Sequence, residues 1–520
     1  MAGLELSLAD KVINLCERRG FIVQNSVIYG GMAGFFDFLA YGSQLKRNVE
    51  QDWWHRFVEL RSDVVGIDGA IITHPKVWEA SGHAAAFNDP LVECGKCKEK
   101  FRADHLVEQE LGVAVDGLSL EKLNGLIAQH KVDCPKCGGG LEVSRPFNLM
   151  FATTVGAKAS EDAKAFLRPE TAQLIFANFK LVQQSSRLQL PFGIAQVGKA
   201  FRNEISPRNF VFRCREFSQM ELEYFVHPER LQECPDGGAW GEKAVFLTAG
   251  HQAEGKPGVE MSFAEALAAG VVGTRVHAYW LAEYYSWLLS LGLRREKLRL
   301  RQHVATELSH YSSETWDVDY EYSWGFKELL GVANRSDFDL KQQALHSGQE
   351  LSVFVEAERR KVVPFVIEPS VGVERLVFTL LLDAFEERQG GEGSSVVLHL
   401  TPRIAPVAAG VFPLLKKGGL REKAFELYKS LQAAGLRVEF DEAGSIGKRY
   451  ARMDEVGAPF CVTVDFDSLE DGCVTVRERG SGRQCRVGGK ELPAVLAALL
   501  QGAAFETAGK MVDTRAKLVG

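Results

Sequence analysis

The sequence contains no run of apolar residues that approaches the length needed to span a bilayer. Its first residues, Met1 to Glu5, have neither the basic region nor the apolar core of a signal peptide. These two absences predict a cytoplasmic location. An excess of basic residues is also missing. The formal net charge is −7, whereas non-specific nucleic-acid binding depends on excess lysine and arginine. We find no internal repeats.

Two local basic clusters remain possible contact surfaces despite the acidic balance. One comprises Arg294, Arg295, Lys297, Arg299 and Arg301, and the other comprises Lys448, Arg449 and Arg452. From charge alone, each cluster is explained at least as well by a solvated helix face as by a nucleic-acid contact.

The length and composition are those of a globular protein with more than one domain. The chain has 520 residues, of which 46% are hydrophobic and 25% are charged. A single hydrophobic core rarely extends over so many residues, so we expect at least two domains.

Four of the ten cysteines form a pattern that is typical of a metal site. Cys94 and Cys97 form one CxxC unit, and Cys134 and Cys137 form a second within a CPxCG segment. Each unit folds into a knuckle that presents two thiolates, and two knuckles complete a tetrahedron around zinc. The spacer between them predicts an inserted helix or hairpin. A structural zinc site, a cysteine pair that has lost its metal, and a redox pair are the three interpretations that remain open.

Glycine and serine are concentrated from Gln389 to Ser395, which is the strongest linker signal in the chain. Beyond it, short apolar strands alternate with helices, which predicts a separate α/β domain. The predicted strands of that domain are 396–400, 436–440 and 460–464, and its predicted helices are 418–434 and 448–456. Before the linker, we expect helices at 5–20, 41–60 and 171–182, strands at 147–151, 194–197, 216–225 and 362–366, and a helix at 372–387.

Helix 41–60 has the clearest periodicity. Leu45, Val49, Trp53 and Phe57 recur every four residues, which places them on one stripe. Such a stripe indicates a core-facing helix, and a subunit interface is the alternative. Two insertions are also expected, at 94–142 between the cysteine pairs and at 226–300, where a helix near 274–291 is rich in aromatic residues.

The segment from Gly198 to Glu221 carries the strongest functional signal. Arginines, an aromatic ring and several carboxylates alternate over sequence that reads as two strands. An arginine beside a glutamate on an extended backbone can hold a phosphate and a purine edge at a fixed separation. This pattern therefore predicts an ATP site that does not depend on a glycine-rich phosphate loop.

Three further blocks accompany this segment, at 166–171, 326–335 and 368–375. With them, the chain resembles a class II aminoacyl-tRNA synthetase, specifically the homodimeric type of glycyl-tRNA synthetase, from about Gly30 to Val487. The resemblance implies ATP-dependent attachment of glycine to tRNA(Gly) through a glycyl adenylate, with release of AMP and pyrophosphate. It also implies Mg²⁺ and a homodimer.

The fold implied by the resemblance is of the α+β class. Residues 1–390 would form the class II catalytic domain, an antiparallel sheet flanked by helices with inserted zinc-knuckle and helical segments. Residues 391–500 would form a C-terminal α/β anticodon-binding domain, followed by a tail at 501–520. Segments 401–406 and 444–455 carry the C-terminal part of the resemblance. There, basic residues at a helix start would meet RNA phosphate, and Tyr450 could stack on a base.

The resemblance assigns the phosphate and adenine contacts of ATP. Arg202 matches the catalytic arginine on the α-phosphate, Arg375 matches the arginine on the γ-phosphate, and Phe217 matches the ring that stacks on adenine. Glu328 matches an ATP contact that could hold Mg²⁺. The full implied ATP set is Arg202, Asn203, Glu204, Phe212, Arg213, Cys214, Arg215, Glu216, Phe217, Glu328, Leu329, Gly372, Val373, Glu374 and Arg375.

The implied glycine site is built on carboxylates that grip the ammonium group, while bulk near Cα excludes larger substrates. A larger competitor is rejected by a clash, so no editing domain is required. The implied set is Arg102, Glu170, Phe217, Ser218, Gln219, Met220, Glu221, Glu368, Pro369, Ser370, Val371 and Gly372. For Arg102 the alternative is a surface charge beside the zinc knuckle. For Arg335 and Asp337 a structural salt bridge is as good an explanation as an ATP contact.

The sequence departs from the family where the dimer interface is expected. Segment 38–42 lacks the usual Tyr-Gly-Pro-x-Gly pattern, and the proline of motif 1 has no clear match, although Pro75 is near. Segments 298–303 and 308–311 also resemble family blocks whose roles have no evident physical account. Two other classes of protein stay open at this point. One is a non-catalytic RNA-binding relative, and the other is an adenylate-forming ligase that does not use tRNA.

Overall fold

The structure is a computed structural model that describes residues 6–112, 115, 118–157, 163–207, 209–309, 311–390 and 393–512. Met1 to Glu5, His310 of the 308–311 block, Gly391 and Glu392 of the predicted linker and tail residues 513–520 therefore lie outside the described residues. The helices are α1 Leu8–Arg19, α2 Ala40–Trp54, α3 Pro75–Ala80, α4 His83–Ala86, α5 Ala103–Leu111, α6 Leu120–His130, α7 Ala172–Ser185, α8 Ala249–Ala253, α9 Phe263–Ala268, α10 Arg275–Ser290, α11 Phe338–Ser347, α12 Val373–Ala384, α13 Leu420–Ala433, α14 Ile446–Val456, α15 Asp467–Asp471 and α16 Leu492–Leu500. None of these described helices has the length and apolar character that crossing a membrane requires.

The strands group into one large sheet, one medium sheet and several small ones. They are β1 Ile22–Gln24, β2 Phe36–Phe38, β3 Val64–Gly66, β4 Ile72–Thr73, β5 Asn88–Glu93, β6 Lys100–Arg102, β7 Arg145–Asn148, β8 Ala152–Thr154, β9 Lys164–Leu167, β10 Phe192–Phe201, β11 Glu216–Val226, β12 Lys243–Leu247, β13 Val259–Ser262, β14 Leu298–Gln302, β15 Glu314–Tyr322, β16 Gly325–Ser336, β17 Val353–Val355, β18 Arg360–Val362, β19 Phe365–Gly372, β20 Phe385–Gly390, β21 Gly393–Leu398, β22 Ala409–Pro413, β23 Val438–Phe440, β24 Phe460–Val464, β25 Cys473–Glu478, β26 Gln484–Gly488 and β27 Lys510–Val512.

A nine-stranded sheet organises the first three quarters of the chain, in the order β13-β12-β14-β15-β16-β19-β11-β10-β3. Its pairs are antiparallel except for β12 with β14 and β10 with β3, which are parallel. The predicted α+β class, with a large antiparallel sheet flanked by helices, is confirmed. Strands β12, β13 and β14 fall within the stretch predicted as a second insertion, so this stretch extends the main sheet.

The main core lies on one face of this sheet, under α2, α10 and α12. The stripe of Leu45, Val49, Trp53 and Phe57 is buried there, which confirms the core interpretation of helix 41–60. Phe57 stacks on Tyr284 of α10, with ring centroids 4.4 Å apart. The helix continues as a π-helical turn, His55–Glu59.

Glycine at position 42 lets α2 approach the preceding chain. A Cβ atom on Gly42 would lie 1.8 Å from the backbone oxygen of Phe21, so no side chain fits there. This close approach explains why glycine ends segment 38–42, the segment that matches the family poorly. Pro75 begins the separate helix α3 and does not contribute to α2.

The cysteine-bounded segment forms a small unit with its own core. Strands β6, β5 and β7 make a three-stranded sheet against which α5 and α6 pack. The insertion expected between the cysteine pairs is therefore two helices rather than one helix or hairpin.

The C-terminal part contains a six-stranded sheet in the order β23-β22-β24-β25-β26-β27, packed against α13 and α16. The predicted α/β character is confirmed. The strand predicted at 396–400 was assigned to the wrong place, because β21 pairs with β20 in an antiparallel hairpin from Phe385↔Leu398 to Gly390↔Gly393. The described residues of the glycine-rich segment, Gln389, Gly390 and Gly393 to Ser395, are thus paired strand residues and not an extended linker.

The predicted basic surfaces are largely neutralised within the fold. On α14, Arg449 is buried and donates to the backbone oxygens of Pro413 and Leu414, at 2.5 and 3.3 Å. The expectation that Arg449 meets RNA phosphate is therefore wrong, because its guanidinium satisfies carbonyls inside the domain. Lys448 stays exposed.

Tyr450 and the other cluster show the same inward pairing. Tyr450 is half-buried, and its hydroxyl lies 2.7 Å from that of Thr463. The 294–301 cluster lies on a 3₁₀ turn and on strand β14 rather than on a helix face. Arg299 and Arg301 there pair with Asp319 and Asp317, at 2.9 and 2.6 Å.

Candidate active site

Four neighbouring strands of the main sheet bring the predicted blocks together. In β10, β11, β19 and β16, the residues Gln196, Glu221, Ser370 and Gly331 lie side by side across the sheet. Because side chains alternate between the two faces of a strand, Phe217, Gln219 and Glu221 share the face opposite the main core. Helices α7 and α11 cover one part of this second face, and the candidate site lies beside them.

The same alternation turns part of the predicted set away from this face. Cys214 and Met220 are buried in the main core. The Ser218 hydroxyl accepts a hydrogen bond from Lys46 on α2, at 2.8 Å. Only the backbone of these three residues can face a ligand in the site. Pro369 and Val371 of β19 are likewise buried.

Arg202 lies at one end of the site, immediately after β10. Its Nε donates to the backbone oxygen of Pro169 at 3.0 Å, and its guanidinium lies 5.3 and 5.4 Å from the ring centroids of Phe217 and Phe87. In the part of the chain that the structure describes, no carboxylate lies within salt-bridge distance of Arg202. Within the described residues, Arg202 therefore forms no internal ion pair.

The loop between β10 and β11 is held by its own arginines. Arg213 pairs with Glu204 at 2.8 Å, and Arg215 donates to the backbone oxygens of Glu204 and Ala33. The backbone N–H of Asn203 donates to Leu149. These contacts fix the loop on which ATP contacts were predicted.

Arg375 extends from the first turn of α12 toward β16. It donates to the backbone oxygen of Glu328 at 2.9 Å and lies 3.1 Å from the carboxylate of Glu328. The charge of Arg375 lowers the pKa of Glu328. The guanidinium also lies 4.7 Å from the ring centroid of Phe212. Arg375, Glu328 and Phe212 come from three distant segments, and the fold brings them together.

Two predicted ATP residues near Arg375 have internal roles. Glu374 is buried and accepts from the Ser218 backbone N–H and the Lys46 ammonium, both at 2.6 Å. Its carboxylate therefore anchors the start of α12 to β11 and α2. Leu329 is fully buried in the main core.

The other end of the site is lined by carboxylates. Glu221 accepts from the Ser370 hydroxyl at 2.8 Å and from the Thr171 hydroxyl. Thr171 immediately precedes α7. Its hydroxyl does not cap the helix, because it donates to Glu221 instead. Glu170 lies 3.2 Å from the His83 ring and accepts from Gln173 at 3.2 Å.

Glu368 completes the predicted set of carboxylates. Its carboxylate pairs with Arg335 at 2.5 Å, and Arg335 is also held by Asp339 at 2.7 Å. The structural interpretation of Arg335 is therefore confirmed, and it is tied to the site through Glu368. Asp337 instead pairs with Lys341.

The buried carboxylates differ in their affinity for protons. Burial acts to raise the pKa of Glu170, but the charges of His83, Arg335 and Arg202 outweigh it and hold this pKa well below 4.5. Burial and the charge of Glu170 raise the pKa of Glu221. Burial also raises the pKa of Glu368, although Arg335 opposes it. The surroundings of Glu221 and Glu368 thus disfavour further negative charge beside Glu170 at this end.

Arg168 and Gly198 form the floor between the two ends. Arg168 is buried and donates to the backbone oxygens of Lys199 and Gly69, both at 2.6 Å. A Cβ atom on Gly198 would lie 2.2 Å from the Arg168 guanidinium, so this position requires glycine. Arg102 lies 2.7 and 3.0 Å from the carboxylates of Asp104 and Asp89, and Asp89 is in turn 3.9 Å from Arg213 of the loop after β10.

Sequence reasoning missed several residues of the site. Glu223 is fully buried on the same face as Glu221, and the Glu-x-Glu alternation on a strand was the signal that could have found it. Asp339 lies in the first turn of α11, four residues after Arg335, and this spacing was the signal that could have found the pair. Nothing local in the sequence signals His83 or Thr171, since their partners are distant in the chain.

The four patterned cysteines meet outside this site. Their Sγ atoms lie within 4.8 Å of one another, with Cys94–Cys137 at 3.6 Å and Cys97–Cys134 at 3.7 Å. Four thiolates bound tetrahedrally at about 2.3 Å from zinc would be about 3.8 Å apart, so the spacing fits. A Cβ atom on Gly139 would lie 3.1 Å from the Cys94 sulfur, so glycine at this position keeps the cluster of four thiols unobstructed.

Comparison with known proteins gives consistent matches along the chain. The anticodon binding domain family matches residues 404–499. A glycine–tRNA ligase of Clostridium acetobutylicum is 45% identical over 492 residues, which cover 93% of this chain and 96% of the relative. Glycine–tRNA ligases of Caldanaerobacter subterraneus and Bacillus anthracis are 44% and 43% identical, over 92% and 95% of this chain and 95% and 99% of each relative.

Proposed function

The chain belongs to the glycine–tRNA ligase family, and we propose that its reaction takes place on the open face of strands β10, β11, β16 and β19. The enzyme attaches glycine to tRNA(Gly) at the expense of ATP. The glycine carboxylate attacks the α-phosphorus of ATP, and the bond to pyrophosphate breaks. The terminal ribose hydroxyl of tRNA then attacks the carbonyl carbon of glycyl adenylate, and AMP leaves.

We propose that Arg202 and Arg375 hold the phosphates of ATP. The single observation that carries this proposal is that Arg202 is fixed by Pro169 and two rings yet has no carboxylate partner in the described chain. A guanidinium aimed at charge that develops on the α-phosphate stabilises the transition state without reorganisation. Phe217 would present the face of its ring to adenine.

The glycine ammonium would be held by Glu170, Glu221 and Glu368, with Ser370 between two of them. This proposal is supported by the excess of carboxylates over cations at that end of the site, because an added ammonium group would balance it. Positioning and electrostatics, rather than a general base, would then supply the rate enhancement.

The test is glycine-dependent exchange of pyrophosphate into ATP by the Arg202→Ala variant. We expect a loss of about 1,000-fold in kcat with the thermal midpoint unchanged, since one preorganised charge of this kind contributes about two to three powers of ten. Arg187→Ala, an exposed arginine away from the site, is the matched control. Near-normal exchange by Arg202→Ala would rule out this site.

Two metal ions fit residues of the chain. Zn²⁺ would be held by Cys94, Cys97, Cys134 and Cys137, where it would stabilise the small unit built on α5 and α6. Mg²⁺ would be held by Glu328 together with ATP phosphates, and it would neutralise their charge. Freshly purified, never-chelated protein should contain about one zinc per chain, and less than about half an equivalent would contradict the structural zinc.

The remaining proposals concern partners and domains. Residues 1–390 would carry out the chemistry, and residues 391–500 would bind the tRNA. The protein would act in the cytoplasm, where tRNA is charged.

We also propose a homodimer, supported by the exposed apolar turn Val27–Tyr29, whose residues are 62%, 84% and 86% exposed. Tyr29→Asp should shift sedimentation toward a monomer if this turn lies in the interface, and an unchanged sedimentation coefficient would contradict that placement.

A further inference from the structure

Glu223 lies two residues beyond Glu221 on the site face of β11, and it differs from every other carboxylate there. Its side chain is fully buried, and neither of its oxygens meets a hydrogen-bond donor in the described part of the chain. Glu170, Glu221 and Glu368 each have a donor within 3.2 Å. An ionised Glu223 would therefore be a buried charge without compensation, which is strongly unfavourable.

The nearest neighbour of Glu223 is another carboxylate. Strands β11 and β19 pair Glu221 with Ser370 and Tyr224 with Ile367. The same antiparallel register sets Glu223 directly opposite Glu368. Oxygens of Glu221, Glu223 and Glu368 lie within 4.8 Å of one another. Like charges directly across a strand pair are destabilising, and burial makes the repulsion stronger.

The only cation in direct contact with this cluster, among the described residues, is Arg335. Its guanidinium pairs with Glu368, and Asp339 shares it. Arg335 is already shared between the carboxylates of Glu368 and Asp339, so no positive charge remains to balance Glu223. A proton on Glu223 resolves both problems, because it removes the uncompensated charge and supplies a donor to the opposing carboxylate.

We propose that Glu223 is a neutral carboxylic acid that donates its proton in a hydrogen bond to Glu368. Glu223 is then a positioning residue, which holds the Glu368 carboxylate where a substrate ammonium group can meet it. The inference rests on the proposed glycine site for its functional part. The shared proton itself depends only on the geometry of the two strands.

The surroundings of Glu223 favour the neutral form. Burial, and after it the charge of Glu368, raises the pKa of Glu223 well above 4.5, although Arg335 opposes the shift. The titratable or charged groups around Glu223 and the neighbouring Glu221 on the packed elements are Glu170, Glu221, Tyr284, Arg335 and Glu368. Three of these five groups are carboxylates, so a proton at this point lowers the repulsion among all of them.

Infrared spectroscopy tests the proton directly. In D₂O near neutral pH, the wild-type protein should show a protonated-carboxyl stretching band that is missing from Glu223→Gln. Glu321→Gln changes an exposed glutamate of β15 and is the matched control, in which the band should persist. A band that survives in Glu223→Gln, or no band in the wild type, would overturn the proposal.

Kinetics test the positioning role. The amide of Glu223→Gln can still donate to Glu368, so its kcat/KM for glycine in pyrophosphate exchange should stay within about threefold of the wild type. Glu223→Ala lacks the donor and should lose about 10- to 100-fold, with the KM for ATP unchanged, because a hydrogen bond to a charged group is lost. Equal losses in the two variants, or none in either, would contradict the role.

These outcomes separate the two proposals. If the infrared band behaves as expected but Glu221→Gln leaves the KM for glycine unchanged, the shared proton stands and the glycine site lies elsewhere. If Glu223→Ala does not fold, as judged by circular dichroism, the Gln variant and the infrared band still decide between a neutral and an ionised Glu223.

Discussion

The two ends of the site carry opposite unbalanced charges. At the phosphate end, Arg202 is fixed by a backbone carbonyl and two rings but has no anionic partner within salt-bridge distance in the described chain. At the glycine end, Glu170, Glu221 and Glu368 meet fewer cations than carboxylates. Glycyl adenylate formation brings together phosphates and an ammonium group. Each end therefore lacks the charge that one part of the substrates would supply.

The arginines elsewhere in the protein give the contrast its meaning. Arg335 is almost completely buried, yet Asp339 and Glu368 neutralise it. Arg449 satisfies two backbone carbonyls. A fold normally balances its own buried charge. A fixed side chain whose charge is left unbalanced by the fold therefore indicates a ligand more reliably than the residue type does.

Of two further substitutions, one at each end of the site, the one at the glycine end should have the larger effect. Glu221→Gln keeps the shape of the side chain but removes its charge, so we expect the kcat/KM for glycine to fall about 100- to 1,000-fold, as when one member of a buried charge pair is lost. Affinity for ATP should stay unchanged, as measured by equilibrium binding. A parallel loss of ATP affinity would mean that the two ends do not act separately.

The reciprocal change at the phosphate end should be smaller. Arg375 is shared with Glu328, so part of its charge is already balanced. For Arg375→Gln we expect the KM for ATP to rise about 10- to 100-fold, in line with the loss of a charge-assisted hydrogen bond. The KM for glycine should change by no more than about twofold. If the KM for glycine rose as much as that for ATP, Arg375 would belong to both ends.

The parts of the fold that the sequence predicts are those whose sequence pattern is local, that is, contained within one helix or strand. The stripe on α2 was predictable because a helix repeats every 3.6 residues, and all four residues of it are buried. The pairing of β21 with β20 was not, because apolar strands do not encode their partner. Val396–Leu400 therefore looked like a strand of the C-terminal sheet.

The candidate site divides in the same way. Arg202, Glu221 and Arg375 were found because each lies in a short block of distinctive residues. His83 contacts Glu170 from 87 positions earlier in the chain, and no pattern in either segment announces that contact. The direction of Arg449 was missed because charge says nothing about which backbone carbonyls a fold leaves for it.

A smaller effect should distinguish Glu170 from Glu223, both at the glycine end. Their contributions to the free energy of unfolding should change with pH in opposite directions. The pKa of Glu170 is lowered, so its contribution to stability is present above 4.5 and is lost as the pH falls below that value. The pKa of Glu223 is raised, so the folded state holds a proton that the unfolded chain has lost. Its contribution therefore weakens as the pH rises above 4.5.

Thermal unfolding across pH checks both signs. Relative to the wild type, Glu170→Gln should become less destabilising as the pH is lowered, and Glu223→Gln should become more stabilising as the pH is raised. One proton limits each slope to about 1.4 kcal/mol per pH unit. Slopes of the same sign for the two variants would show that the two carboxylates are not set apart as the structure indicates.

The smallest effect is expected in the C-terminal part of the chain, where one of two adjacent basic residues is exposed and the other is buried. Lys448 is exposed and has no ion pair within the described chain, whereas Arg449 is buried against carbonyls. If unbalanced charge marks a ligand contact, Lys448→Ala should raise the KM for tRNA about two- to fivefold, more at low salt than at high salt, with stability unchanged. Arg449→Ala should instead lower the thermal midpoint, because it removes a buried donor from the carbonyls of Pro413 and Leu414. Aminoacylation at two salt concentrations and calorimetry on both variants give the answer. An unchanged KM for Lys448→Ala would confine the rule to the buried site, where water cannot balance a charge.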